Sequence, residues 1–258
     1  MKSTFKFFAI VPIFAFLLHS CSSDDDSSGA AAPLISNFEY GEGSAHSTDR
    51  VAYKGSDIHL EAEIDAQGSV GDITLSIHAH GLTPGDGEVD WDYEQKFNKS
   101  DYMVINPSFH EHVDIPTDIP AGEYHIELTV TDLLGNSTTV EGHLQILDPI
   151  TLGDISLDTT VVRGNDFHAE FLVGAVHGIH SITLDIHAHG IEPGAGEVEW
   201  HLEQVFEEGY HGLTEVEFHE HIDVPATAPA GEYHMVFTIE DEQGNTRSLD
   251  AHLVVSIP

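Results

Sequence analysis

The sequence predicts an all-β protein built from two tandem β-sandwich domains. Three observations support this fold class. The second half of the chain repeats the first half at a constant offset, each copy has short segments in which apolar and polar residues alternate, and long stretches with helical periodicity are absent from the sequence. Turn sequences rich in glycine, proline and asparagine separate the short segments at even spacing, which is typical of sandwiches.

The amino-terminal segment 1–21 has the layout of a secretory signal peptide. Lys2 and Lys6 flank the start of an apolar run over 5–18, and this run ends shortly before Cys21, the single cysteine of the chain. The run is shorter than the ~20 apolar residues that a membrane-spanning helix needs. The segment resembles a lipobox, and this resemblance implies that Cys21 is acylated and holds the protein on outer-membrane lipid. The alternative is an ordinary secretory signal with an incidental cysteine.

Residues 22–33 are small, polar and acidic, so they are predicted to form a flexible tether. An acidic run directly after an acylated cysteine also resembles the surface-export signal of Bacteroidota lipoproteins. That resemblance implies a lipid-anchored protein on the outer membrane that faces the outside of the cell.

The internal repeat divides the rest of the chain into two domains. A shift of 109 residues without gaps relates 55–59 to 164–168, 77–81 to 186–190, 109–112 to 218–221, and 121–125 to 230–234. The boundary is expected near Asp148-Pro149, which gives domains over 34–148 and 149–258. With no disulfide available, each domain must be stabilised by its own hydrophobic core, and roughly 110 residues suffice for that.

Each copy is expected to contain seven strands, which in the first copy cover 35–40, 58–64, 73–80, 89–97, 109–115, 124–131 and 137–147. The stretch 121–132, followed by Gly135-Asn136, resembles the last hairpin of bacterial immunoglobulin-like domains, and 230–245 repeats it. As a whole, the chain resembles an uncharacterised Bacteroidota lipoprotein family with tandem His-rich immunoglobulin-like domains. This resemblance implies an immunoglobulin-like fold and a cell-surface location, but no known activity.

The charge of the chain indicates which partners it attracts. With 8 basic and 45 acidic residues, the formal net charge is −37, so the surface repels nucleic acid and concentrates cations. The chain also has 20 histidines, the side chains that most often bind transition metals. We therefore expect divalent metal ions as partners and no nucleic acid.

Fourteen of the 20 histidines form seven pairs at the repeat offset: His59 with His168, His78 with His187, His80 with His189, His110 with His219, His112 with His221, His125 with His234, and His143 with His252. Two sites in each copy have the spacing His-x-His. Residues two apart in a strand lie on one face, roughly 6.5–7 Å apart, so two such imidazoles can converge on one ion.

Strand alternation predicts which histidines share a face. In an immunoglobulin-like fold, the strand ending at His80 lies antiparallel to the strand containing His125, and a turn that pairs 132 with 136 places His143 opposite His125. Residues His78, His80, His125 and His143 are therefore predicted to form one metal site, repeated at His187, His189, His234 and His252. The histidines of the other sheet are also expected to point outward and to form a second site or to join the first: His59, His110, His112, His168, His219 and His221.

These patterns favour a surface-anchored metal-binding lipoprotein that captures, buffers or delivers metal, with an outer-membrane transporter as a further partner. Zn²⁺ is the first choice because imidazole and carboxylate suit it, and Cu²⁺ or Ni²⁺ remain alternatives. Cu(I) is disfavoured because the chain has few methionines and a single cysteine.

Three alternative interpretations compete with metal capture. An adhesion or glycan-binding sandwich would use its histidines structurally or as pH sensors, with Trp91 and Trp200 stacking on sugar. The acidic run Asp86, Glu88, Asp90 and Asp92 resembles a calcium-binding sequence, but the second copy does not keep it. A metallohydrolase needs a general base. Glu111 and Glu220 lie within the His-x-His pairs, yet alternation directs them away from the imidazoles, so the protein is not expected to be an enzyme.

Overall fold

The computed structural model describes residues 31–42 and 49–258 of the chain. The predicted signal peptide, Cys21, most of the predicted tether and His46 lie outside the described residues. The described part contains sixteen β-strands and has no helix that is long and apolar enough to cross a membrane. Domain 1 consists of β1 Leu34–Glu42, β2 Val51–Tyr53, β3 Asp57–Asp65, β4 Val70–Ala79, β5 Asp92–Phe97, β6 Ser108–Asp114, β7 Gly122–Asp132 and β8 Ser137–Leu147.

Domain 2 repeats these elements in the same order. Its strands are β9 Ile150–Leu157, β10 Thr160–Val162, β11 Asp166–Ala175, β12 Ile179–Ala188, β13 Leu202–Phe206, β14 Glu215–Asp223, β15 Gly231–Asp241 and β16 Thr246–Ser256. The predicted all-β fold is therefore confirmed.

Each domain is a sandwich of a three-stranded and a five-stranded sheet. The strand orders are β1-β3-β6 and β2-β8-β7-β4-β5 in domain 1, and β9-β11-β14 and β10-β16-β15-β12-β13 in domain 2. The hydroxyl of Tyr124 donates to the carbonyl of Pro120 at 2.9 Å, and that of Tyr233 donates to Pro229 at the same distance. A tyrosine near the start of this strand, bonded to the backbone just upstream, is a hallmark of immunoglobulin-like sandwiches.

The structure corrects the predicted number of strands and one predicted strand boundary. Each domain has eight strands rather than seven, because β2 and β10 pair in parallel with the last strand of their domain. Each of these two strands has 3 residues, which is too few for alternation to be visible. In addition, β5 begins at Asp92 rather than at 89.

The ungapped repeat offset also fails in two places. The connection between the first two strands spans 43–50 in domain 1 but only 158–159 in domain 2. As a result, Thr151 of β9 occupies the same position beside β11 that Leu34 of β1 occupies beside β3. In the loop after β5, the amide of Tyr102 donates to the carbonyl of Lys99, and the amide of Tyr210 donates to that of Glu207 in the same way. Tyr102 therefore corresponds to Tyr210, one residue short of the offset.

Alternating residues of the two sheets form a separate core in each domain. Ile73, Leu75 and Ile77 of β4 are fully buried, as predicted, and their neighbours in sequence face outward. Full burial of such a side chain stabilises the fold by about 1.5–3 kcal/mol. The strands consequently hold their histidines on the outer faces of the sheets, away from the core.

The hairpin between β7 and β8 fixes the register of the histidines. The carboxylate of Asp132 accepts hydrogen bonds from the backbone amides of Leu134 and Asn136 at 2.9 and 2.8 Å, and from the side chain of Asn136 at 2.8 Å. The hydrogen bond from the Asn136 side chain is the main reason that the pKa of Asp132 lies below its usual value. Gly135 has a φ of 87°, which favours glycine. The turn therefore aligns Thr131 with Ser137 and, further along, His125 with His143.

Candidate metal-binding sites

Four histidines lie side by side on the outer face of the five-stranded sheet of domain 1, and we call them the five-strand cluster. His125 pairs in register with His78 on one side and with His143 on the other, as predicted. The ring centroids of His78 and His125 are 5.1 Å apart, and those of His125 and His143 are 5.5 Å apart. His80 lies 5.6 Å from His143, just after the end of β4. The four imidazole rings therefore lie side by side, as predicted, but of these four only His80 and His143 belong to a group whose potential ligand atoms all lie within 4.8 Å of one another.

Glu123 belongs to the five-strand cluster as well, which the predicted ligand set omitted. Its Oε1 atom lies 2.9 Å from Nδ1 of His80 and 3.2 Å from Nδ1 of His143. Potential ligand atoms of these three residues all lie within 4.8 Å of one another. Glu123 is on the same face as His125 by strand alternation, so its participation was visible in the sequence.

Domain 2 repeats the five-strand cluster. His187, His189, His234 and His252 line one surface concavity of about 310 Å³. Glu232 takes the place of Glu123, with its Oε1 atom 2.6 Å from Nδ1 of His252 and 3.8 Å from Nδ1 of His189. The ligand atoms of His189, Glu232 and His252 again lie within 4.8 Å of one another.

A second group of histidines lies on the three-stranded sheet of domain 1, and we call it the three-strand cluster. It consists of His59, His110 and His112, with ring centroids 4.8, 5.1 and 5.5 Å apart. All three lie on the predicted outward face, but His59 is only 1% exposed. His59 is on the predicted face of β3, but the two imidazoles of β6 pack against its ring and cover it.

In domain 2, the corresponding cluster includes a carboxylate. Nε2 of His168 lies 3.3 Å and Nδ1 of His219 lies 3.7 Å from Oε2 of Glu170, and these three residues have ligand atoms within 4.8 Å of one another. The third histidine, His221, contacts Asp166 at 2.6 Å, and this hydrogen bond is the main cause that lowers the pKa of Asp166. His112 and Asp57 make the same contact in domain 1. The two sheets therefore carry separate groups in each domain.

The geometry of these groups is compatible with a tetrahedral metal centre. Zinc binds histidine nitrogen at ~2.0–2.1 Å, so its ligand atoms are separated by about 3.3 Å in a tetrahedral site. Ligand atoms within 4.8 Å of one another approach this spacing after small side-chain rotations. His80, Glu123 and His143 are about half exposed, so these rotations are sterically available. Three protein ligands leave a fourth position for water or another ligand.

The tryptophans do not offer a sugar-stacking surface. Trp200 is 7% exposed and packs against the core residue Tyr233 with ring centroids 5.0 Å apart. Trp91 is partly buried and packs against Tyr124 at 5.6 Å. The indole rings therefore contribute to the two cores.

Two acidic side chains of the alternative sites, Glu88 and Glu111, have structural partners. Glu88, in the run that resembles a calcium-binding sequence, accepts hydrogen bonds from Lys54 and the amide of Gly85, each at 2.9 Å. Glu111 faces away from the imidazoles and accepts a hydrogen bond from Tyr102 at 2.8 Å. Burial, and then this hydrogen bond, raises the pKa of Tyr102 to about 12.

One further group was missed by sequence reasoning. His180, His211 and Glu242 of domain 2 also have ligand atoms within 4.8 Å of one another. They come from three segments that are far apart in the chain, so local spacing carried no signal for them.

The family described as "Domain of unknown function (DUF4625)" matches the chain twice, over residues 19–147 and 148–256. The chain therefore belongs to this family and contains two tandem copies of its domain. A search of curated proteins found no match.

Among solved structures, the chain is similar to a tetra-tandem repeat in the extending region of a large adhesion protein, with 12% identity over 88% of this chain and 51% of that chain and a TM-score of 0.34. It is similar to a 1.5-MDa bacterial ice-binding adhesin at 13% identity over 88% and 66% of the two chains, with a TM-score of 0.31. A complex of Dpr2 Ig1-Ig2 with DIP-Theta Ig1-Ig3 matches at 14% identity over 88% and 65%, with a TM-score of 0.27. The chain thus spans only about half of the first of these proteins.

Proposed function

We propose that this member of the DUF4625 family is a metal-binding protein that holds zinc-like divalent cations on the outer faces of both sandwiches. One observation carries the proposal. Each sheet of each domain has one group of three residues whose ligand atoms lie within 4.8 Å of one another. Each group contains two or three of the repeat-related histidines, and a glutamate is the third member where there are two.

Chemistry and charge support this proposal. Imidazole and carboxylate are the ligand types that zinc uses most, and Cu²⁺ and Ni²⁺ share the preference for imidazole. The chain carries a formal net charge of −37, which raises the concentration of cations near its surface. The histidines and their glutamates are mostly exposed, so an ion reaches them directly from solvent.

The expected lipid anchor at Cys21 extends this proposal to a biological role. A protein tethered to the outer membrane by a flexible acidic segment would capture or buffer metal at the cell surface and deliver it to an outer-membrane transporter. We propose binding rather than catalysis because the glutamates within the His-x-His sequences do not face the imidazoles as a general base would. Glu111 and Glu220 each accept a hydrogen bond from a tyrosine on the opposite side of the strand.

A zinc titration tests the proposal. The chain from residue 22 onward is purified without a histidine tag and titrated with Zn²⁺ by isothermal calorimetry and native mass spectrometry. We expect at least four equivalents, one for each sheet of each domain. The variant His78→Ala with His80→Ala should lose one equivalent, because it removes a ligand and its neighbour from the five-strand cluster of domain 1 only.

The matched control is Thr74→Ala with Ser76→Ala, which changes the same face of the same strand without touching an imidazole. It should bind zinc like the parent. Zinc at 100 times its dissociation constant should also stabilise the parent by about 2.7 kcal/mol per site. A parent chain that binds no zinc at any of these groups would refute the proposal and favour the adhesion alternative.

A further inference from the structure

Three segments of domain 2 meet at one end of the five-stranded sheet. The amide of Ile179 donates to the carbonyl of Leu213 at 2.9 Å, and the amide of Gly212 donates to that of Ile179 at 2.7 Å, which ties the loop after β13 to the start of β12. The amide of Glu242 donates to the carbonyl of Gly178 at 3.0 Å, which adds the turn after β15. The backbone therefore holds three otherwise distant segments together.

The side chains at this junction converge. Nε2 of His211 lies 3.2 Å from Oε1 of Glu242, and Nδ1 of His180 lies 3.7 Å from Oε2 of the same carboxylate. The two imidazole centroids are 5.8 Å apart with their planes 59° from each other. Each imidazole faces a different oxygen of Glu242, so all three residues border one small volume that is open to solvent.

The fold does not require these residues. In domain 1, Val70 and Leu133 make the same backbone hydrogen bonds, to Val104 and Ser69, at 3.0 Å each. The side chains differ, however: Gly71 stands where domain 2 has His180, and Leu133 stands where it has Glu242. Met103 corresponds to His211, because the amide of Met103 donates to the carbonyl of Lys99 as the amide of His211 donates to that of Glu207. An exposed imidazole–carboxylate pair contributes little stability, so packing does not explain the group in domain 2.

Further negative charge lies beside this group. Asp241 precedes Glu242 and lies 3.1 Å from Nδ1 of His177, whose Nε2 atom lies 3.8 Å from Glu42 of domain 1. Carboxylates from both domains therefore add to the potential that attracts a cation to this end of domain 2.

We propose that His180, His211 and Glu242 form an additional zinc-type divalent cation site, present in domain 2 and lacking in domain 1. The proposal rests on the same ligand chemistry as the proposed function, but on residues outside the internal repeat. The chain should therefore hold an odd number of ions, with domain 2 binding one more than domain 1.

The test combines stoichiometry with a site-resolved readout. The variant His180→Gln with His211→Gln should bind one zinc equivalent fewer than the parent in native mass spectrometry. In the parent, Zn²⁺ should protect His180 and His211 from acylation by diethyl pyrocarbonate, mapped by peptide mass spectrometry, so that their modification falls at least threefold. The control Glu208→Gln changes an exposed side chain in the loop after β13, outside this group, and should leave the stoichiometry unchanged.

The two proposals fail in different ways. Unchanged stoichiometry in the double variant, with His180 and His211 equally reactive with and without Zn²⁺, overturns this proposal while leaving the repeated sites intact. Protection of His180 and His211 alone supports it and refutes the proposed function. A parent that binds no zinc overturns both.

Discussion

Domain 1 and domain 2 have the same strand pairings but fill their cores with different side chains. Phe171 and Phe237 of domain 2 correspond to Ala62 and Leu128 of domain 1, and all four are fully buried. The aromatic rings of domain 2 pack around Phe218, which matches Phe109. The fold therefore tolerates large changes of side-chain size at single core positions.

The histidines differ far less between the domains. All seven repeat-related pairs keep imidazole, although most lie on outer faces where the fold sets few constraints. Core residues that packing constrains have been exchanged, while these paired histidines, most of which packing constrains little, have stayed the same. This contrast points to a requirement for imidazole itself.

The largest expected effect comes from removing an aromatic ring that only domain 2 has. Phe171 stacks on Phe218 at 4.7 Å and contacts Phe237 at 5.1 Å. Phe171→Ala should lower the free energy of unfolding of domain 2 by about 3–5 kcal/mol, because it leaves a cavity at a fully buried position. Denaturation is followed by tryptophan fluorescence in two backgrounds. Trp91→Phe leaves Trp200 to report on domain 2, and Trp200→Phe leaves Trp91 to report on domain 1.

The control Phe237→Leu gives domain 2 the residue of domain 1 at that position and should cost only about 1 kcal/mol. The transition reported by Trp91 should stay at the parent's denaturant concentration in both variants. A parallel shift of the two transitions would show that the two cores unfold as one unit and that the comparison of separate domains is wrong.

The next effect concerns the three-strand clusters, which have matching residues but differ in which ligand atoms converge. In domain 1 three imidazoles converge, with Glu61 at 3.7 Å from His59, whereas in domain 2 two imidazoles converge with Glu170. Imidazoles in general titrate near pH 6.5 and must lose their proton to bind metal. Between pH 7 and 5.5, zinc affinity should therefore fall more steeply in domain 1, where three imidazoles converge, than in domain 2, where two do.

Imidazole NMR resonances of His110 and His219, followed during zinc titrations at both pH values, measure the two affinities separately. Glu170→His adds a third imidazole and should make the domain 2 group as pH-sensitive as its counterpart. The control is Glu215→His, which lies four residues from His219 on the neighbouring strand and is too far away to share its ion. Equal pH dependence in the two parent groups would mean that their ligand sets differ from those inferred here.

The strands and their inner faces could be predicted from the sequence because alternation has a period of two residues, and Ile73, Leu75 and Ile77 show it without interruption. The short parallel strands β2 and β10 could not, because three residues do not display a period. The slips in the repeat also fall in loops, where a residue can be added or lost without disturbing the core.

The five-strand cluster could be predicted because a short turn fixes its register. Asp132 and Asn136 close the turn, and every residue pair further along the hairpin follows from it, including His125 with His143. The burial of His59 could not be predicted, because it depends on the packing of rings from the neighbouring strand. The same holds for His180 and His211, which only the folded backbone brings together.

The smallest predicted effect concerns a carboxylate that only the five-strand cluster of domain 2 has. Asp185 accepts hydrogen bonds from His187 at 2.6 Å and from His201 at 3.1 Å, and domain 1 has Ser76 at the corresponding position. The hydrogen bond from His187 is the main cause that lowers the pKa of Asp185. His187 is a ligand in the predicted four-histidine site. A carboxylate that is hydrogen-bonded to a ligand histidine holds the imidazole ring in place and strengthens its binding to the metal.

Asp185→Ser should therefore weaken zinc binding by the five-strand cluster of domain 2 about tenfold and bring it close to the affinity of domain 1. The reverse change, Ser76→Asp, should strengthen binding in domain 1 by a similar factor. Because Asp185 is partly exposed, the free energy of unfolding of the metal-free protein should change by less than about 1 kcal/mol. Zinc titrations followed through the imidazole resonances of His187 and His78 measure both affinities. If Asp185→Ser instead tightens binding, the carboxylate competes with the metal for His187, and the two domains differ for the opposite reason.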